Sequence, residues 1–320
     1  MRDKRYTVAV ATKKTDSDSS SSLCFRDVTM KSLPEISRIL HTCYSSRTCD
    51  YTVGGIFMWI KYFSYQYCIV EDTLFIRGDL ENHPGVKAFS LPVGPMPIEK
   101  AINMLKDYCK ANNETLRFSA IPEDRLTDFR NFGLSDTEEL ADWADYLYEA
   151  DALASFSGKK LSKKRNHFNR FVADNPNYMI QDIRDCNIND IREAYSSWAD
   201  ESDLQMASAI EEHNEVFSVL ENLREYPFEG IVLRDESGSI AGFTMGEVIA
   251  DTLYVHIEKI NKDVAGAGET INRLFVERMK AEHPEIRFVN REEDTGDEGL
   301  RRAKESYHPV MMLRKYNIFL

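Results

Sequence analysis

The stretch that decides the fold is residues 252–282, TLYVHIEKINKDVAGAGETINRLFVERMKAE. Its first nine residues mix β-branched, aromatic and apolar side chains and read as a strand. Gly266 and Gly268 then interrupt the pattern. From Thr270 the apolar residues return at helical spacing, with Ile271, Leu274, Phe275 and Met279 on one face. A strand, a glycine turn and a helix in this order leave backbone N–H groups pointing outward at the helix start, a nest suited to phosphate or carboxylate. A glycine turn that binds nothing gives the same pattern, because glycine serves turns generally.

Strands also read at FEGIVLRD (228–235) and IAGFTMGEVIA (240–250), joined by a turn at Glu236–Ser239. Downstream come a strand at EIRFVN, a short helix at GDEGLRRAKES and a single last strand at HPVMMLRKYNIFL. The order of three antiparallel strands, glycine turn and helix resembles the acyl-CoA N-acyltransferase (GNAT) fold. In that family the turn reads [Gln/Arg]-x-x-Gly-x-[Gly/Ala] and cradles the coenzyme A pyrophosphate. Here the window is Asp263-Val-Ala-Gly266-Ala-Gly268, whose leading aspartate would repel pyrophosphate.

The N-terminal half also alternates strands and helices. It reads as a helix over 34–46, a hairpin of YQYCIV and TLFIRG about Glu71-Asp72, and a strand near 86–91. A helix at 98–110, a strand at 116–121, a short helix at 122–131 and a strand at 144–150 follow. No internal repeat is visible in the sequence. The expectation is a mixed α/β (α+β) protein. Residues 1–22 form a disordered polar tail, 23–150 a first domain, 151–177 a basic linker helix and 178–320 a second domain. Two helices are expected near 188–200 and 207–224.

The chain has 320 residues, 42% of them hydrophobic, enough for two cores. Its formal net charge of -13 excludes a general nucleic-acid coat. Six cysteines lack any CxxC pair or histidines at ligand spacing, which predicts reduced thiols and no metal. The chain lacks an apolar run of membrane-spanning length or a signal-peptide core, so the expected location is cytoplasmic.

Against this acidic background, residues 152–173 contain no acidic residue. On a helix, Lys160, Lys163, Lys164, His167 and Arg170 share one face, and Leu161, Phe168 and Val172 share the other. That face reads as an anion-recognition surface for RNA backbone, lipid headgroup or phosphate; a solvated charged face is the alternative. The run Asn290, Arg291, Glu292, Glu293, Asp294 ends a strand, where α/β sheets open toward ligands, with Arg301 and Lys304 on the helix beyond. A solvated charged loop is again the alternative. In TLYVHIEK, strand alternation puts Tyr254, His256 and Glu258 on one face. Glu258 is the preferred general base, because a carboxylate in an apolar strand needs a reason. His256 reads as a structural histidine.

These segments together resemble a bacterial family related to the C-terminal catalytic domain of phosphatidylglycerol lysyltransferase. The resemblance is carried by Tyr146, Tyr148, Leu153, Gly158 with Lys160, Lys164 with His167, and Phe171. It continues in His256, Glu258, Ile271, Asn272, Asn290–Asp294, Gly296, Lys304 and Tyr307, and at the N-terminal side in Asp50, Phe57, Trp59 and Tyr62. It implies two tandem GNAT-like domains, each a mostly antiparallel sheet flanked by helices, with the site chiefly in the second. It also implies an acyl- or aminoacyltransferase. The candidate donors are aminoacyl-tRNA and a coenzyme A thioester, and a tRNA or an anionic acceptor would dock on the basic helix. The expected catalytic residues are Glu258, Arg291 and Lys304. Substrate binding is expected from Lys160, Lys163, Lys164, His167, Gly266, Gly268, Asn272, Asn290, Glu293, Asp294 and Arg301. A non-catalytic binding module on the same fold is the remaining alternative.

Overall fold

The structure is a computed structural model that describes residues 23–43, 46–81, 83–134, 136–198 and 207–320. The tail expected over 1–22 lies outside the described residues. So do 44–45, at the end of the first expected helix, and 199–206, between the two helices expected near 188–200 and 207–224.

The first half runs β1 (Arg26–Asp27), α1 (Leu33–Thr42), α2 (Val53–Phe57), α3 (Ile60–Phe63), β2 (Gln66–Val70), β3 (Thr73–Leu80) and β4 (His83–Phe89). It continues with α4 (Ile98–Asn112), β5 (Arg117–Pro122) and β6 (Asp136–Glu139). Then follow β7 (Asp145–Glu149), α5 (Ala150–Ser155), α6 (Ser162–Asp174), β8 (Met179–Asp182), α7 (Ile188–Trp198), α8 (Ala207–Glu221), β9 (Glu229–Arg234) and β10 (Ile240–Ile249). The chain ends with β11 (Thr252–Ile260), α9 (Ala267–Glu282), β12 (Phe288–Asn290), α10 (Glu298–Glu305), β13 (Met311–Leu313) and β14 (Lys315–Phe319).

Two seven-stranded sheets form, ordered β1-β2-β3-β4-β5-β14-β6 and β8-β9-β10-β11-β12-β7-β13. They match position by position. In each, the fourth and fifth strands pair in parallel and every other neighbour pair is antiparallel. In each, a long helix (α4 or α9) links that parallel pair, as a parallel connection requires. Their buried stripes are Ile102, Leu105 and Cys109 in α4 and Ile271, Phe275 and Met279 in α9. The repeat absent from the sequence is therefore present in the backbone.

The sixth strand of each sheet comes from the other half. β7 pairs with β12 and β13 in the second sheet, and β14 pairs with β5 and β6 in the first. Sheet membership thus does not follow a boundary at 150/151. The single last strand expected over 308–320 is two strands in different sheets, with only Arg314 between them. One buried cluster spans the halves, joining Phe57, Phe75 and Phe118 to Phe228, Phe243 and Ile257. A second lies around α9, with Tyr148, Phe156, Phe171, Ile271 and Phe275.

The exchange is fixed by a buried ion cluster. Lys315, 1% exposed, places its ammonium 2.7 Å from Asp145 and 2.8 Å from Asp50, and Glu293 stands at 3.7 Å. Asp145 also accepts from Cys49 N at 2.7 Å and from Asn290 Nδ2 at 2.8 Å.

The basic helix expected over 151–172 is two helices. Phe156 and Gly158 take left-handed conformations (φ 48° and 78°), and the buried Phe156 ring packs against Tyr307. Arg165 closes the break by donating to the carbonyls of Phe156 at 2.6 Å and Gly158 at 3.3 Å. No helix among the described residues is long and apolar enough to cross a membrane.

Removing the ammonium leaves Asp145 buried without its cation, so Lys315→Met should cost about 3–5 kcal/mol. Urea denaturation followed by circular dichroism measures this. A variant as stable as the wild type would refute the role given to the cluster.

Candidate functional site

The parallel pair β11–β12 is short. Thr252, Leu253 and Tyr254 face Phe288, Val289 and Asn290, and there β12 ends while β11 runs on to Ile260. Beyond Tyr254 β11 runs on without a parallel partner, and its outer half lies beside the N-terminus of α9. Ligand crevices lie at such carboxyl ends of parallel strands.

A β-bulge sits where the parallel pair ends. Gly246 of β10 pairs with Val255 and Met245 with Ile257, so His256 is an extra residue. Gly246 is required here, since a Cβ would fall 2.0 Å from the Tyr254 carbonyl oxygen. The bulge overturns the expectation that Tyr254, His256 and Glu258 share a face. Tyr254 and His256 stack in parallel, their ring centroids 6.4 Å apart, and His256 lies 5.1 Å from the Phe228 ring. Glu258 instead reaches α9 and the end of β12. It pairs with Arg291 at 2.7 Å and accepts from Asn272 Nδ2 at 3.3 Å.

Around this pair stand aromatic rings and a second cation, each cation paired with a carboxylate. Arg291 lies over the Tyr307 ring at 4.7 Å and near Tyr148 at 6.0 Å. Lys164 turns inward from α6, its ammonium 3.9 Å from the Tyr307 centroid and 3.2 Å from Glu269 in the first turn of α9. Burial holds the Lys164 ammonium below the usual lysine range, opposed by Glu269. Asn272 Oδ1 is buried and has no hydrogen-bond partner among the described residues.

The other expected cations of this face stay in solvent. Lys163, His167 and Arg170 are exposed on α6, and Lys160 is exposed in the turn before it. The helix they line packs onto the glycine turn. Gly266 has φ 82°, and a Cβ there would meet the His167 carbonyl oxygen at 2.5 Å. A Cβ on Gly268 would meet Ile260 at 3.3 Å. With Glu269 and Asp263 beside it, the turn offers pyrophosphate a covered and acidic surface.

The run 290–294 is buried at Asn290, Glu293 and Asp294 and half-buried at Arg291 and Glu292, and each side chain goes elsewhere. Asn290 holds Asp145 and the Arg47 carbonyl, at 2.8 and 2.7 Å. Arg291 takes Glu258, and Glu292 takes His256 Nδ1 at 2.6 Å. Glu293 accepts from Cys49 Sγ at 3.2 Å beside Lys315. Asp294 accepts from Tyr146 at 2.6 Å and from Arg301 at 2.7 Å. Glu292 and Thr295 are left-handed without being glycine (φ 57° and 49°). Such strain gathers at functional sites.

Three expectations change accordingly. Lys304 is buried, donating to the Glu293 carbonyl oxygen, and so braces the loop instead of facing a substrate. Arg301 is paired with Asp294 and Asp142. Asn290, Glu293 and Asp294 bond within the protein. Glu258, Arg291, Asn272 and Lys164 do converge.

Residues passed over in the sequence complete the picture. Glu247, 1% exposed, accepts from His256 Nε2 at 2.8 Å and Gly54 N at 2.9 Å, and pairs with His41 at 3.2 Å. It is a carboxylate in the apolar run IAGFTMGEVIA, the same signal that drew attention to Glu258. Two carboxylates outweigh burial and push His256 up to about 9, while His256 and His41 outweigh burial and hold Glu247 down at about 2. His256 is thus an imidazolium clamped between glutamates, unsuited to act as a base.

Two matched sheets, each with a short parallel pair joined through a long helix, define a tandem GNAT-like fold of the acyl- and aminoacyltransferase type. The chain belongs to the family of phosphatidylglycerol lysyltransferase C-terminal domains, which matches residues 41–319. A conserved protein of unknown function from Bacteroides thetaiotaomicron is 27% identical, with a TM-score of 0.83 over 93% of this chain and 99% of that one. FemX shares the fold at 8% identity and a TM-score of 0.60, over 93% of this chain and 98% of that one. An uncharacterised protein of Mycoplasmoides gallisepticum is 23% identical over 173 residues, 54% of this chain. The match spans 54%, about half, of that curated relative's length.

The clamp carries a pH signature. His256, raised from 6.5 to about 9, contributes stability that is full below pH 6.5 and lost as pH rises through 9. Glu247, lowered from 4.5 to about 2, contributes stability that is full above pH 4.5 and lost as pH falls through 2. The wild type should therefore lose thermal stability between pH 6.5 and 9, and His256→Gln should remove most of that alkaline slope. Melting temperatures across pH measure it; parallel profiles for the two proteins would contradict the clamp.

Proposed function

We propose that this protein transfers an aminoacyl group from aminoacyl-tRNA to a nucleophilic acceptor where β11 runs on past the end of β12. The observation that carries this reading is the course of α6. Its outer face presents Lys163, His167 and Arg170 to solvent, with Lys160 exposed just before it, and Lys164 turns inward beside Glu269 and Tyr307. A donor with a long phosphate backbone and one reactive end suits this path: phosphates on the outer face, the ester among Lys164, Arg291 and Glu258. The family membership and the tandem fold support the same reading.

In the step itself, the acceptor's nitrogen or oxygen bonds to the ester carbonyl carbon, and the bond from that carbon to the ribose oxygen breaks. The acceptor's proton ends on the departing ribose hydroxyl. Arg291 and Lys164 are the cations placed to stabilise the negative charge that develops on the carbonyl oxygen. Glu258 holds Arg291 and Asn272 in place and offers a carboxylate oxygen to an incoming N–H.

The test is binding and transfer with radiolabelled aminoacyl-tRNA. Lys160→Glu with Lys163→Glu should weaken tRNA binding and lower the salt slope by roughly 1.5–2. Glu258→Gln should abolish transfer while leaving tRNA binding intact. No binding by the wild type at low salt would refute the donor.

A coenzyme A thioester is the second reading, favoured by the left-handed Gly266 at the N-terminus of α9. The packing of α6 over that turn argues against it. Acetyl-CoA is accordingly expected to leave the melting temperature unchanged; a saturable rise would reverse the ranking of donors.

A further inference from the structure

Two cations from distant segments share the ring of Tyr307. The Lys164 ammonium lies 3.9 Å from its centroid and the Arg291 guanidinium carbon 4.7 Å. Arg291 also reaches the Tyr307 hydroxyl. Lys164 belongs to α6, Arg291 to the chain just after β12, and Tyr307 to the turn after α10.

The ring itself is fixed. It is buried, with the Tyr148 ring edge-on at 6.4 Å and the Phe156 ring at 6.0 Å. Its backbone N–H donates to the Lys304 carbonyl at 3.1 Å, and the Tyr148 hydroxyl donates to the same carbonyl at 2.8 Å. Burial pushes the Tyr307 hydroxyl well above the usual phenol range, against the pull of Arg291, so the ring stays neutral.

Two positive charges gathered on one ring repel each other. Each has a single carboxylate partner among the ion pairs of the site, Glu269 for Lys164 and Glu258 for Arg291. The face of an aromatic ring attracts cations through its quadrupole, and more strongly where water is excluded. An aliphatic side chain at 307 could fill the space and would attract neither cation.

We propose that Tyr307 is a positioning residue whose ring gathers Lys164 and Arg291 into a paired-cation subsite for one substrate oxygen that carries or develops negative charge. Arg291 Nη1 supports this: it is buried without a hydrogen-bond partner among the described residues, and such an oxygen would satisfy it. A carbonyl oxygen becoming an oxyanion meets both cations at once. The ring thereby joins α6, whose outer face would carry the donor's phosphates, to the end of β12, where the ester would react. The catalytic consequence rests on the transfer reading; the gathering of the cations rests on the contacts alone.

The test keeps the shape of the ring and changes its quadrupole. Phenylalanine at 307, carrying an increasing number of ring fluorines, loses its attraction for cations stepwise at nearly constant size. In the full chain labelled with ¹³C-lysine, the Lys164 signal is assigned with Lys164→Arg and titrated by NMR. Its pKa should fall with each added fluorine, because the ring favours the ammonium form. An equal pKa across the series would overturn the proposal. With aminoacyl-tRNA, kcat should fall in the same order, by about tenfold over the series, while the Kd for tRNA stays constant. Tyr307→Leu should likewise lie about tenfold below Tyr307→Phe in kcat; should the leucine variant not fold, the fluorinated series decides. A falling pKa with an unchanged kcat would overturn the positioning role. A falling pKa with no transfer by any of the proteins would uphold the hold of the ring on Lys164 and count against the donor reading alone.

Discussion

Lys315 lies 2.7 Å from Asp145 at the place where two strands change sheets. Asp145 opens β7, which the first half lends to the second sheet, and Lys315 opens β14, which the second half returns to the first. Burying such charges costs several kcal/mol each, and attraction recovers that cost only in good geometry with further hydrogen bonds. Here Asp50, Glu293, Cys49 and Asn290 supply them. The pair therefore ties the register of both exchanged strands to one point. It also holds Glu293, and through it the chain from Asn290 to Asp294, against the first half.

The candidate site is built on the same anchor. The run 290–294 distributes its side chains in turn to Asp145, to Glu258, to His256, to Cys49 and Lys315, and to Arg301. A short segment can do this because left-handed Glu292 and Thr295 redirect the backbone after β12 stops. The His256 imidazolium adds a second tie, joining β11 to α1 and α2 through Glu247, His41 and Gly54. Gly54 lacks a Cβ where one would meet the His256 ring at 2.3 Å, so the helix backbone can approach the buried histidine.

Much of this was legible in the chain. The strand–turn–helix unit at 252–282 is present with the expected boundaries to within a few residues, and α9 buries the stripe read from its periodicity. The isolated basic segment is a helical face turned to solvent, though broken at Phe156, where a buried ring and Arg165 fix a kink that charge patterning cannot register. Glu258 and Arg291 were grouped with Lys304 from the sequence; the structure pairs them with each other, adds Asn272 to Glu258, and turns Lys304 to the Glu293 carbonyl. The face that Glu258 occupies was not legible, because one extra residue at His256 reverses the strand alternation beyond it.

The sequence by itself determined the elements, the two cores and the family, because periodicity and glycine placement are local properties of the chain. Only the tertiary structure decided which half owned which strand, and which charges were buried. The burial of Asp145, Glu247, Glu293, Lys304 and Lys315 is a consequence of packing between segments up to 266 residues apart. The 252–282 unit fixed the fold. Its glycine turn is covered by α6, and Glu258 and Arg291 meet instead where β11 runs on past the end of β12.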